Sequence, residues 1–95
     1  TAQLAVARAA LAHAASAGSA EAAPADLASA RDKLGRAEVA LAAHDNDTAL
    51  ALAQQSQADA QLAAAKTEAM RAQRSAQALD ASARALREEM ARKAP

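Results

Sequence analysis

Two histidines and one acidic run are the side chains of this chain that could bind a metal ion. A zinc site needs several ligands at close range on one face, but His13 has only small residues beside it and His44 lies far along the chain. The run Asp45–Asp47 begins like a calcium loop, which requires Gly at its sixth position and Glu at its twelfth. Those places hold Leu50 and Ser56. We predict no metal ion, and a helix-capping role for the acidic run.

Asp59 and the serines are the residues that could support acid or nucleophilic catalysis. Asp59 lies near the core-facing side of a predicted helix, where a buried carboxylate needs a partner. Arg31 or Lys33 would supply that partner in one alternative, and plain solvent exposure is the other. No serine has a nearby His–Asp pair, and no glycine-rich loop could hold a phosphate. We predict no enzymatic activity and no cofactor, with the serines serving as small helix-compatible residues: Ser16, Ser19, Ser29, Ser56, Ser75 and Ser82.

The composition indicates a helical protein. The chain of 95 residues has 36 Ala and 10 Leu but no Ile, no aromatic residue and no Cys. Alanine is the best helix former, and strands need the β-branched and aromatic residues that are scarce here. The net charge is zero, which argues against nucleic-acid binding because that requires a basic surplus. No apolar run is long enough to cross a membrane.

The few helix breakers divide the chain into three predicted helices in a single domain, residues 1–95. Gly18 ends the first helix, Pro24 suits the first position of the second, and residues 18–23 form the first loop. Asp45 or Asn46 caps the third helix. We therefore expect helices at about 2–17, 24–43 and 46–93, packed as an all-α antiparallel three-helix bundle with a long, coiled-coil-like third helix.

Leucines at helical spacing define the expected core. Leu27, Leu34 and Leu41 recur every seven residues, and we predict that they face three leucines of the other two helices, with alanines between them permitting close helix approach. Those three residues are Leu4, Leu11 and Leu52.

The third helix is too long to be covered by the other two. At about 1.5 Å per residue the three helices span roughly 24, 30 and 70 Å, so its second half has no partner within the chain. That half keeps apolar residues at alternating three- and four-residue spacing, as in a coiled coil. We predict that these residues form an interaction seam, listed in chain order: Ala69, Ala72, Ala76, Leu79, Ala83, Leu86 and Met90.

We expect a second copy of the chain to cover this seam, which would make the protein a homodimer. Two alternatives stay open. Another helical envelope protein or a neighbouring domain covers the seam, or a bend near Arg74-Ser75 folds the tail back onto the bundle.

One stretch and its continuation resemble a known family. Residues 23–34 read APADLASARDKL and match the pattern AP-x-x-L-x-x-A-x-x-K-L. Residues 37–41, 45–49 and 52–63 match its continuation, A-x-x-A-L, D-x-x-x-A and L-A-x-Q-x-x-x-D-A-x-L-A. The chain, over about residues 1–80, is similar to the family called domain of unknown function 4398.

The resemblance implies a compartment but no activity. Members of that family are exported proteins of Gram-negative bacteria, often envelope lipoproteins, and some carry a peptidoglycan-binding domain like that of outer-membrane protein A. This chain begins at Thr1 and shows no signal peptide, no lipobox cysteine and no such additional domain, so we expect that a targeting segment has been removed. The resemblance implies a periplasmic or cell-envelope location and supplies no catalytic residues.

Two functions follow from these observations. The first is a non-catalytic structural or protein-interaction module of the cell envelope that works by helix–helix packing. The alternative is an accessory domain that binds a peptide or protein on a concave helical face. The hairpin from residue 27 to 62 has the small-residue rhythm of helical repeats but lacks their aromatic pocket residues.

Overall fold

A computed structural model describes residues 1–95 and shows an all-α architecture with no strands. The helices are α1 (Ala2–Ala17), α2 (Ser19–Ala22), α3 (Pro24–Ala42) and α4 (Asn46–Lys93). The predicted helix bounds lie within one residue of α1, α3 and α4. The prediction of a plain loop over residues 18–23 was wrong, because this segment contains the one-turn helix α2. Four residues are too few to show a helical period in a sequence.

Gly18 ends α1 and begins α2. Its backbone is left-handed, with φ 97°, and its N–H points to the carbonyls of Ala14 and Ala15. Only a residue without Cβ adopts that conformation at little cost. The Gly18 carbonyl then accepts from the N–H groups of Glu21 and Ala22, and these bonds form the single turn of α2. Pro24 follows as the first residue of α3, as expected for a residue that needs no N–H partner there.

The link between α3 and α4 is equally short. His44 adopts a left-handed φ of 62°, and its N–H donates to the carbonyl of Leu41 while that of Asp45 donates to Ala40. These two bonds form a Schellman motif, which usually has glycine where His44 stands. Asp45 also caps α4, because its Oδ1 accepts from the N–H of Thr48 at 3.3 Å. Asp45 thus ends α3 through its backbone N–H and begins α4 through its side chain.

Cross-helix contacts fix the direction of each helix. Gln3 of α1 hydrogen-bonds Gln57 of α4 at 2.8 Å, and Arg71 of α4 donates to the carbonyl of Ala17 near the other end of α1. The residue numbers rise together, so α1 and α4 are parallel. Where α3 contacts α1 or α4, the residue numbers rise along one helix and fall along the other. α3 is therefore antiparallel to both. The fold is therefore an up-down-up bundle, which confirms the predicted antiparallel packing of successive helices.

Two clusters of leucine and alanine form the core. Leu34 packs with Leu4 and Leu52, and Leu41 is half-buried against the same cluster. Leu27 belongs to the second cluster, and Leu11 lies against both. The predicted leucine contacts are present. The rest of the core is alanine, and the alanines without any exposed surface come from all three long helices: Ala7, Ala14, Ala30, Ala37, Ala53, Ala60 and Ala63.

Enlarging a buried alanine tests the close packing. We expect Ala37→Leu to destabilise the protein by roughly 1–3 kcal/mol, because the added methylenes meet a filled core. Ala28→Leu, on the exposed side of α3, should change stability by less than about 0.5 kcal/mol. Urea unfolding followed by circular dichroism compares the two variants. Equal stabilities would contradict an alanine-packed core.

The left-handed backbone at His44 offers a stabilising change. His44→Gly should raise the free energy of unfolding by about 0.5–1 kcal/mol, because it removes the steric cost of a Cβ at positive φ. His44→Ala keeps that Cβ and serves as the matched control, with no comparable gain. Thermal melts measure both variants, and equal gains would show that the imidazole rather than the backbone carries the effect.

Candidate functional site

The second half of α4 leaves the bundle as a single helix. Its last buried residue is Thr67, and around Arg71 and Arg74 it still passes the turn formed by Gly18 and Glu21. From Ser75 onward, residues 75–93 form what we call the arm. The molecule is 79 Å long and 20 Å or less across its other axes. The predicted alternative of a bend near Arg74-Ser75 is wrong, because α4 continues unbroken through it.

The predicted seam lies on solvent-exposed surface. All seven seam residues are exposed. Its three large side chains are the most accessible apolar ones beyond the bundle. Leu79 is 72% exposed, Leu86 61% and Met90 63%. No part of this chain covers them. The seam is therefore a line of exposed apolar side chains along α4.

The seam and the bundle core lie on opposite sides of α4. Each residue of an α-helix is turned by about 100° from the one before, so two residues correspond to about 200°. Leu62 follows the buried Ala60 by two residues, and Ala69 follows the buried Thr67 in the same way. The line of the seam extends back to Leu62, which is 46% exposed although it lies within the bundle. A helix could thus pack along the back of α4 without displacing α1 or α3.

Only local interactions hold the arm in helical form. Asp80 and Arg84 form an ion pair at 3.0 Å, and Glu89 pairs with Arg92 and Lys93 at 3.4 Å. Each such pair stabilises a helix by about 0.2–0.5 kcal/mol. A lone helix is marginal in water even when rich in alanine. Packing against a partner would add stability that the arm lacks.

Asp59 lies at the edge of the α3–α4 contact, where its side chain is partly exposed. Its Oδ2 accepts from the Lys33 ammonium and from the Ser29 hydroxyl, both at 2.8 Å. Of the two alternatives predicted for Asp59, the polar contact is the observed one, and its partner is Lys33 rather than Arg31. The hydrogen bond from Lys33 lowers the pKa of Asp59, partial burial raises it, and the hydrogen bond from Ser29 and the charge of Lys33 lower it further. The result is a lowered pKa, so this carboxylate stays ionised and paired.

Three buried hydroxyl groups join the helices elsewhere. Ser56 donates to the carbonyl of Ala30 at 2.7 Å. Thr67 donates to the carbonyl of Ala63 within α4, so the Ser19 hydroxyl donates to Thr67 at 2.8 Å. The prediction that Ser19 and Ser56 are only small helix-compatible residues therefore missed their hydrogen bonds between helices. The sequence does indicate that Ser56 and Thr67 are buried, because both continue the three- and four-residue spacing of the buried alanines in α4.

The residues predicted not to bind metal are dispersed in the structure. His13 and His44 are both exposed. His13 lies in a shallow groove between α1 and α4 beside Val6 and Glu68, whereas His44 lies in the α3–α4 link. No three His, Asp or Glu side chains come close enough together to hold a metal ion.

None of the helices is both long enough and apolar enough to cross a membrane.

The chain matches one family model. That model is described as "Domain of unknown function (DUF4398)", and it matches residues 2–79. No curated protein and no solved structure matches the chain significantly. The matched region covers the whole bundle and the beginning of the arm.

The lowered pKa of Asp59 predicts a pH dependence. Its ionised form is favoured by folding, so its contribution is present above the ordinary pKa of 3.8 and is lost as the pH falls through the lower folded value. We expect Asp59→Asn to cost roughly 1 kcal/mol at pH 7. Urea unfolding of both proteins at several pH values should show the difference shrinking below about pH 4.

Asp32→Asn is the control for that experiment. Asp32 pairs with Arg36 at 3.7 Å, and both side chains are mostly exposed. Such pairs contribute little, so this variant should match the wild type across the pH range. A pH-independent difference for Asp59→Asn would mean that its ion pair does not stabilise the bundle.

Proposed function

Since the chain belongs to the DUF4398 family, whose description assigns no function, we propose from its geometry that it is a helix-packing module. It acts without catalysis, assembles through the exposed seam of α4, and does so in the bacterial cell envelope. The observation that carries the proposal is the seam itself, an apolar line on a helix that leaves the bundle with no partner in the chain.

The spacing of the seam favours a helix as the partner. Its residues alternate by three and four positions, the pattern that brings each side chain to face a second helix. Alanine at most of these positions permits close approach of the two backbones, while Leu79, Leu86 and Met90 supply the area to be buried. Burying one leucine stabilises an assembly by roughly 1.5–3 kcal/mol. A flat or polar partner would leave this pattern unexplained.

The state of the polar residues supports a role without catalysis. Asp59, whose pKa departs from its ordinary value, is engaged by Lys33 and Ser29 and belongs to the helix contact. The two histidines lie apart from it and from each other. Each of these residues is accounted for by capping, pairing or solvent exposure.

The location in the envelope rests on the family resemblance described above. Recovery of the native protein in the cytoplasmic fraction of carefully separated cells would contradict this part of the proposal.

Light scattering tests the assembly. We expect a mass about twice that of the 9.6 kDa chain at a protein concentration of about 100 µM, with dissociation on dilution. Replacing both Leu79 and Leu86 by Asp should give a monomer, because the buried charges have no partners. Val39→Asp is the control, since Val39 is 71% exposed on α3, away from the seam, and should leave the dimer intact.

Two outcomes would contradict the proposal. A strict monomer at that concentration would show that the seam does not drive self-association. Loss of all helical signal in the double Asp variant would mean that the seam belongs to the internal core. Retained helicity with loss of the dimer is the expected result.

A further inference from the structure

We infer that the partner at the seam is a second copy of this chain, and that the two α4 helices run antiparallel with Ala72 of each copy opposite Ala76 of the other. This inference rests on the proposed function and adds the orientation and register of the two helices. It comes from the charged residues beside the seam.

The residues beside the seam fall into two rows. In coiled-coil notation, Ala69, Ala76 and Ala83 occupy a positions, and Ala72, Leu79 and Leu86 occupy d positions. One flank, at the e positions, is charged and runs Asp59, Lys66, Gln73, Asp80, Arg87. The other, at the g positions, runs Gln61, Glu68, Ser75, Ser82, Glu89. The e flank therefore carries most of the charge that can select a register.

Antiparallel helices bring like flanks together, so the e row meets the e row of the second copy. In the proposed register Lys66 faces Asp80 of the second copy, and Asp59 faces Arg87 of the second copy. The twofold symmetry repeats both contacts, which gives four contacts between opposite charges. On the g flank, Glu68 faces Ser82 and Gln61 faces Glu89, so no like charges meet.

The groups that make these contacts are available. Lys66 pairs with Asp26 at 2.7 Å but remains half exposed, and an ammonium group has three donors. Asp80 is bound only to the exposed Arg84 of its own helix. Arg87 makes no ion pair in the structure.

Asp59 is already held by Lys33 and Ser29, but about a quarter of its side chain stays exposed and both of its bonds go to Oδ2. Its Oδ1 can therefore accept from Arg87 of the second copy while Lys33 stays bound. Binding of the second copy thus requires no existing contact to break.

Neighbouring registers place like charges together. A shift of one heptad in one direction sets Asp59 against Asp80 of the second copy. The opposite shift sets Lys66 against Arg87 and Glu68 against Glu89. Like charges in these positions oppose pairing. The order of charged residues at the e and g positions therefore disfavours both adjacent registers and favours the proposed one.

Two other arrangements fit less well. A register shifted by three heptads pairs Asp80 with Arg87 but leaves Leu62 and Ala69 uncovered. A parallel pair brings the e row against the g row, where Ser82 meets Arg87 and no two opposite charges meet. Nothing in the parallel arrangement would hold its register.

The apolar residues agree with the antiparallel register. Leu62 lies opposite Leu86, and Ala69 lies opposite Leu79. Met90 reaches Ala58, which is exposed on the back of the bundle. The second copy thus covers both the arm and the exposed rear of α4, including Leu62.

Single cysteines test the register, since the chain has none of its own. In Ser75→Cys the two thiols lie next to the twofold axis, and a short bis-maleimide reagent should join most of the dimer. Ser82→Cys occupies the same heptad position one repeat later. Its two thiols would be about 24 Å apart along the axis, so this matched control should stay unlinked. Both serines are exposed, and light scattering confirms the dimer of each variant before the reagent is added.

Each other outcome has a distinct meaning. Crosslinking of both variants would show that the helices do not adopt one antiparallel register, and crosslinking of Ser82→Cys alone would show a different antiparallel register. Either result overturns this inference, while the dimer seen by light scattering leaves the proposed function standing. Absence of both crosslinks in a dimer also overturns it. A monomer by light scattering overturns the inference together with self-assembly through the seam.

Discussion

The small size of the alanine side chain is the constraint on which this bundle depends. Ala7, Ala37, Ala53 and Ala60 have no exposed surface, yet each contributes only a methyl group to the core. Such helices gain contact only if their backbones approach closely, since dispersion attraction falls off steeply across a gap. Close approach in turn requires straight, regular helices. α1 and α4 contain neither glycine nor proline, and α3 contains only Pro24 at its first position and the exposed Gly35, so all three meet that requirement.

Methyl groups fill space but do little to fix how two helices slide past each other. Here that task belongs to a few polar side chains of small size. Ser56 reaches the backbone of α3, and Ser19 reaches Thr67, so each serine adds one oxygen atom to a position of nearly alanine size. Asp59 and Lys33 fix the same contact at its edge. Every buried side-chain nitrogen or oxygen has a hydrogen-bond partner, so this specificity leaves no buried polar group unpaired.

The sequence predicted the parts of this fold that depend on local chemistry. Pro24, Gly18 and Asp45 act within one turn of their own position, and the leucine spacing of α3 has a helical period that is visible without a structure. The exposed seam followed from the helix lengths together with the three- and four-residue spacing of its apolar residues. The α2 turn and the left-handed His44 were missed because both depend on what the surrounding chain imposes. The choice of Lys33 over Arg31 also required the three-dimensional register, since the two are about 200° apart around α3 and only packing decides which side faces Asp59.

The unbroken course of α4 has a consequence for how the arm varies between related chains. Because the helix runs from the bundle to its C-terminal end with no hinge, its length fixes both how far the arm extends and in which direction its apolar side faces. Each residue added between Thr67 and the tip would lengthen it by about 1.5 Å and also turn everything beyond by about 100°. Changes of about seven or about eleven residues alter the reach while turning the apolar side by only about 20°. Length and orientation of the arm are therefore coupled, and most other insertions or deletions would redirect its surface.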